Sequence, residues 1–193
     1  GYAADFILGL AVESLNGVRN RSTAGGTVRE ADPDFVRALE LLREVRADQY
    51  GIRTQVRMDG HAIKFEIVRE ARIALQTPPA SDQVCGVSAL TALDLATSKL
   101  LANSDRQADD GVFSRDLIDL AMMNLPLPQL RAAVDKATQA YGPAITRDLA
   151  KAIDRAEQRP GWLERCMQAM AMQPPKAVLW QKIRRLQRLL PPG

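Results

Sequence analysis

The stretch from Ile52 to Val68 constrains the fold more than any other. Ile52, Thr54, Val56 and Met58 alternate with polar residues, Asp59-Gly60 follows, and Ile63, Phe65 and Ile67 then alternate with Lys64, Glu66 and Val68. A period of two belongs to a half-buried strand and not to a helix. Asp-Gly supplies the positive-φ residues of a two-residue type I′ turn. The stretch therefore predicts a β-hairpin whose polar face presents Lys64 and Glu66 side by side, opposite an aliphatic stripe.

What surrounds the hairpin is mostly helical. Phe6, Ile7, Leu10, Val12 and Leu15 are spaced for a short amphipathic helix over 3–15, and 16–28 is rich in turn formers. Asp32-Pro33 reads as an N-cap and first helical position, with Phe35, Leu39 and Leu42 on one face. Val45 to Tyr50 either continues that helix or begins a strand. Pro78-Pro79 marks a linker. Beyond it, helices are predicted from a Ser88 cap to about Asn103, from a Ser114 cap onward, over Leu127–Tyr141 closed by Gly142, and at about 143–158, 162–172 and 175–190. Strands early and helices late give an α+β, mostly α chain rather than a βαβ alternation. The expected division is 1–80, with the small sheet, and 81–193, a C-terminal helical bundle.

Composition excludes several classes. Across 193 residues, 46% are hydrophobic and 25% charged, which suits a globular protein and not a disordered one. The net charge of +3 neither requires nor forbids nucleic acid. Cys85, Cys166 and the single His61 lack the spacing of a structural zinc site, and two distant thiols fit a reducing cytoplasm. No apolar run nears the roughly 20 residues that span a bilayer. The chain starts at Gly1 rather than Met, which suggests trimming or a fragment.

Three places carry candidate chemistry. Glu66 is a carboxylate aimed by a strand, as metal-dependent phosphoryl chemistry needs, though taken alone a cross-strand ion pair with lysine is the simpler reading. Asp94 and Lys99 stand five apart, about 140° around a helix. They either flank a cleft in which Lys99 reaches a phosphate or belong to an ordinary amphipathic helix. In Ser114-Arg115-Asp116-Leu117-Ile118-Asp119, Arg115 and Asp119 are spaced to pair, and Asp116 meets the positive end of the helix. Gly25-Gly26-Thr27 with Asp32-Pro33-Asp34 is a decoy, because proline between the acids disfavours a central strand. Met122, Met123, Met167, Met170 and Met172 read as gap-filling core. Lys176, Lys182, Arg184, Arg185 and Arg188, with Trp180, form a basic face on the last helix, either solvated or set to touch RNA.

In this order, Ile63-Lys64-Phe65-Glu66-Ile67, Leu93-Asp94 with Lys99-Leu100-Leu101-Ala102, and Ser114-Arg115-Asp116-Leu117-Ile118-Asp119-Leu120 resemble the later motifs of the AbiEii/AbiGii-type nucleotidyltransferase toxin family. The resemblance covers about 45–125. It implies a polymerase-β-like nucleotidyltransferase core, an NTP and Mg²⁺ as cofactors, and a cytoplasmic bacterial toxin of a toxin–antitoxin system. The implied partners are an NTP, tRNA or another RNA acceptor, and a cognate antitoxin, with no membrane. It assigns Glu66, Asp94, Lys99 and Asp116 to catalysis, Glu66 also to metal binding, and Lys64, Lys99, Arg115 and Asp119 to the nucleotide. The family's first motif, a glycine turn, a helix and an Asp-x-Asp strand, would fall upstream of Gly1. The expectation is therefore a fragment, inactive alone, of an intact enzyme. The alternatives are a non-catalytic helical interaction module and an RNA-binding protein.

Overall fold

The structure, a computed structural model, describes residues 40–58, 60–68, 70–79, 83–84 and 87–191. The expected helices over 3–15 and from Asp32, together with the Gly25-to-Asp34 decoy, lie outside the described residues. Two compact units emerge: a sheet unit within 40–71 and 78–89, and a helical unit of 72–77 and 90–191.

In the sheet unit, β1 (Glu40–Asp48), β2 (Gly51–Met58) and β3 (His61–Val68) form an antiparallel sheet in the order β1-β2-β3. A two-strand ladder of β4 (Gln83–Val84) and β5 (Val87–Ser88) completes the described strands. The predicted hairpin is present: Met58 pairs with His61 across the two-residue turn, and Gly60 takes φ +77°. The sheet also gains β1, which settles 45–50 as strand and turn and removes Leu42 from any helix. Its turn is closed by Asp48, whose Oδ1 accepts the N–H groups of Tyr50 (2.7 Å) and Gly51 (3.0 Å). Those bonds, the Tyr50 one foremost, hold the Asp48 carboxyl below its ordinary range.

The helical unit contains α1 (Ala92–Arg106), α2 (Arg115–Met122), α3 (Leu127–Tyr141), α4 (Ala144–Gln158), α5 (Trp162–Ala169) and α6 (Lys176–Leu186). Among the described residues none is long and apolar enough to cross a membrane. α1 lies against α2, α3 and α4 and buries Ala96, Leu100 and Leu101. The five methionines named above pack against this core, as expected of flexible gap-fillers.

Several boundaries move. Ser88 belongs to β5, and Thr91 caps α1 instead, its side chain accepting the Asp94 N–H at 3.2 Å. Ser114 does precede α2 but makes no cap bond; it sits at φ +49°, after Phe113 at φ +54°, and its Oγ accepts the indole N–H of Trp162 at 2.9 Å. Two consecutive left-handed residues with side chains are costly, and persist only where surrounding contacts fix them. α5 stops at Ala169 rather than Met172, and the last helix tightens into a 3₁₀ turn over Gln187–Leu189.

Cys166 lies fully buried beside Ser114, and burial pushes its thiol up to about 11. At pH 8 only on the order of a thousandth of it is thiolate, the reactive form. Alkylation by iodoacetamide, followed by the mass of the Cys166 peptide, should be slow in the folded protein and fast in denaturant. Equal rates would contradict this packing.

Candidate functional site

The sequence candidates divide between the two units. Lys64 and Glu66 occupy the polar face of β3, and Asp94, Lys99, Arg115, Asp116 and Asp119 lie on α1 and α2 of the helical unit.

α1 and α2 bring four charged groups together. Lys99 Nζ lies 2.6 Å from Asp119 Oδ2 and 3.8 Å from Asp116 Oδ1. Asp116, only 3% exposed, is also gripped by Arg106, with Nε on Oδ2 at 2.7 Å and Nη2 on Oδ1 at 2.9 Å. Such a fork fixes the carboxylate in plane and direction. Asp116 is thus a rigid acid held by arginine, while Asp119 is more open, at 28%. Lys99 is one-sixth exposed (16%) and reaches solvent beside Asp119. The helical face of Leu100 and Leu101 goes into the core, so the helix is amphipathic, with a polar edge that collects ions. Arg115 opens α2.

Asp94 belongs to a different cluster. It is wholly buried and receives Lys136 Nζ from α3 at 2.5 Å and the Gln76 N–H at 2.6 Å. Gln76 Oε1 in turn accepts the Thr91 hydroxyl at 3.3 Å. Asp94 thereby ties the 72–77 segment and α3 to the start of α1. Arg72, in the same segment, reaches Asp105 at 2.8 Å and lies over the Tyr141 ring. Neither Lys136 nor Arg106 was singled out from sequence; both come from positions whose spacing to their acids carries no local signal.

On the sheet, Glu66 is bracketed by cations: Lys64 Nζ at 3.0 Å and Arg53 Nε at 3.7 Å. Among the described residues, no three His, Cys, Asp or Glu side chains converge as a metal cage. In the structure Glu66 is placed to orient positive side chains. On α6, Trp180 packs against the core with Arg184 over its ring at 5.8 Å, while Lys182 and Arg185 approach Asn124 Oδ1 at 3.3 and 3.5 Å.

A further cluster surrounds Trp162. Phe113 stacks on it at 6.3 Å, and Arg159, Arg155 and Arg165 lie over the ring at 4.3, 5.0 and 5.9 Å. Asp110 pairs with Arg155 and, at 2.8 Å, with Arg159. This cluster fixes the entry to α2 and therefore supports the arrangement of Asp116 and Asp119.

A family model described as "Nucleotidyl transferase AbiEii toxin, Type IV TA system" matches residues 5–188. No curated protein and no solved structure matches the chain.

Proposed function

The chain belongs to the AbiEii nucleotidyl transferase toxin family, and on that premise we propose that it serves transfer of a nucleotide from an NTP to an RNA acceptor. Toxins of type IV toxin–antitoxin systems point to an antitoxin partner and a nucleotide substrate, and nucleotidyltransferases generally use an NTP with a divalent metal. The acceptor being RNA, the metal being Mg²⁺ and a bacterial cytoplasmic setting are parts of the proposal. Mg²⁺ takes one or two carboxylates together with substrate phosphates and water, and Glu66 is the candidate carboxylate on the sheet.

The observation that carries the reading is Lys99 shared between Asp116 and Asp119. Lysine is a mobile point charge on a flexible stem, suited to following a phosphate. In the structure its charge is balanced by two acids, one of which, Asp116, already has Arg106. An incoming triphosphate can therefore take Lys99 from Asp119 without stranding Asp116. The exchange occurs at the exposed edge of the cluster, where the desolvation cost is smallest. Arg115, at the start of α2, adds a second phosphate contact, and the released Asp119 becomes a hydrogen-bond acceptor near the nucleotide. Asp94 is a positioning residue that holds the start of α1.

The reaction is attack by an acceptor hydroxyl oxygen on the α-phosphorus. A new P–O bond forms, the bond to the β-phosphate oxygen breaks, pyrophosphate leaves, and the hydroxyl proton passes to a base. Lys99 offsets phosphate charge as it develops, the kind of term that is worth most in a water-poor site. In the protein as expressed from its own locus, label from an α-³²P NTP should pass to RNA, and Lys99→Ala should lower transfer at least about a hundredfold while the protein still folds. Undiminished transfer by that variant would remove Lys99 from the site. Asp116→Ala is a poorer probe than spacing alone suggests, because it removes a buried carboxylate that Arg106 and Lys99 share.

A further inference from the structure

Among the described residues, the polar face of the sheet carries more positive charge than its acids balance, and β1 is irregular in a way that adds to it. In a regular strand, residues three apart point to opposite faces. Arg43 and Arg46 are three apart, yet a register shift between them sets Arg43 opposite Gln55 and Arg46 opposite Arg53. β3 sets Lys64 opposite Gln55 and Glu66 opposite Arg53. Two rows therefore cross the same face of all three strands: Arg46–Arg53–Glu66 and Arg43–Gln55–Lys64. Bulges re-aim side chains in this manner, and they recur beside functional sites.

The local acids leave a remainder. Arg53 has Asp48 at 3.0 Å and Glu66 at 3.7 Å, and Lys64 has Glu66 at 3.0 Å. Arg43 and Arg46 are exposed, and neither guanidinium has an ion-pair partner among the described residues. Like charges directly opposite one another, as Arg46 and Arg53 are, destabilise a sheet unless an anion lies between them. An open groove of about 630 Å³ runs over both rows, lined by four cations against Glu44 and Glu66. In the β1–β2 turn, Tyr50 leaves 62% of its surface exposed.

We propose that this face binds the backbone of a single-stranded RNA, with Arg43 and Arg46 on its phosphates and Tyr50 offering a stacking surface to a base. Cations spread over two rows fit successive phosphates of a chain better than one compact anion, and the planar fork of arginine matches phosphate oxygens in pairs. A cationic groove with an exposed aromatic ring is the usual means of holding a single strand. The identification of that strand as the acceptor rests on the nucleotidyltransferase reading; the binding itself does not.

The test is fluorescence anisotropy of a labelled single-stranded RNA with the full chain across a salt series. Arg43→Gln with Arg46→Gln should weaken binding and reduce the slope of log affinity against log salt by roughly 1.4, two phosphate contacts at about 0.7 each. Tyr50→Ala should weaken binding roughly tenfold with the slope unchanged. Arg43→Lys with Arg46→Lys should restore the slope, and all variants should melt with the wild type. The proposal is overturned if no RNA binds, if the glutamine pair leaves affinity and slope unchanged, or if the loss follows Arg184→Gln with Arg185→Gln instead. Inorganic triphosphate that displaces the RNA, with an affinity that falls in the glutamine pair, would reassign the face to the nucleotide. Stabilisation by NTP is read separately through Lys99, so either reading can fail while the other stands.

Discussion

Replacing Trp162 by alanine should lower the unfolding free energy by about 3–5 kcal/mol, a large part of the 5–15 kcal/mol typical of a domain. The ring is 2% exposed and sits where α5, the start of α2 and the end of α4 meet. Its removal leaves a cavity, takes the stacking surface from Arg155 and Arg159, and strips Ser114 of its indole donor. Trp162→Phe keeps most of the packing and loses the N–H bond, so it should cost only about 1 kcal/mol. Urea melts of the two variants check this. A small effect for alanine would mean that the cluster is not what holds the left-handed pair Phe113 and Ser114. Trp162→Ala should also loosen the entry to α2 and weaken nucleotide binding.

Asp94→Ala should be comparably damaging, at about 3–5 kcal/mol, because it leaves Lys136, which is four-fifths buried, without its counter-ion and the Gln76 N–H without an acceptor. The penalty belongs to the stranded charge rather than to a large net worth of the pair. Buried ion pairs replaced whole by apolar groups of similar volume are often neutral. The double variant Asp94→Leu with Lys136→Met should therefore recover most of the loss. If Asp94→Ala were neutral in stability yet abolished nucleotide transfer, Asp94 would be a catalytic residue touching substrate, and the positioning role given to it here would be wrong.

The hairpin was legible because its alternation and its Asp-Gly turn are both local signals, and pairing from Gly51↔Val68 to Met58↔His61 follows from them. α3 was legible to the residue, since Pro126 and Gly142 mark its ends. β1 was not. Glu40-Leu41-Leu42-Arg43-Glu44 is built of good helix formers, and its register shifts erase the period of two by which a strand is recognised. Only pairing with β2 decides its conformation. The same limit applies to the candidate site. Lys99, Asp116 and Asp119 lie in motifs and were found there. Arg106, Lys136 and the Ser114–Trp162 bond join residues 10, 42 and 48 positions apart, and no local pattern specifies which cation meets which acid.

The central claim is that Lys99 holds a nucleotide, and the most direct measurement is thermal unfolding of the full chain with and without each NTP in Mg²⁺ buffer, for wild type and Lys99→Ala. At an NTP concentration a hundred times the Kd, ligation stabilises the folded state by about 2.7 kcal/mol, a rise of roughly 5–10 °C for a chain of this length. At least one NTP is expected to raise the wild-type midpoint in that way and to leave Lys99→Ala where it was. Equal shifts in both proteins, or none in either, would contradict a nucleotide site at Lys99.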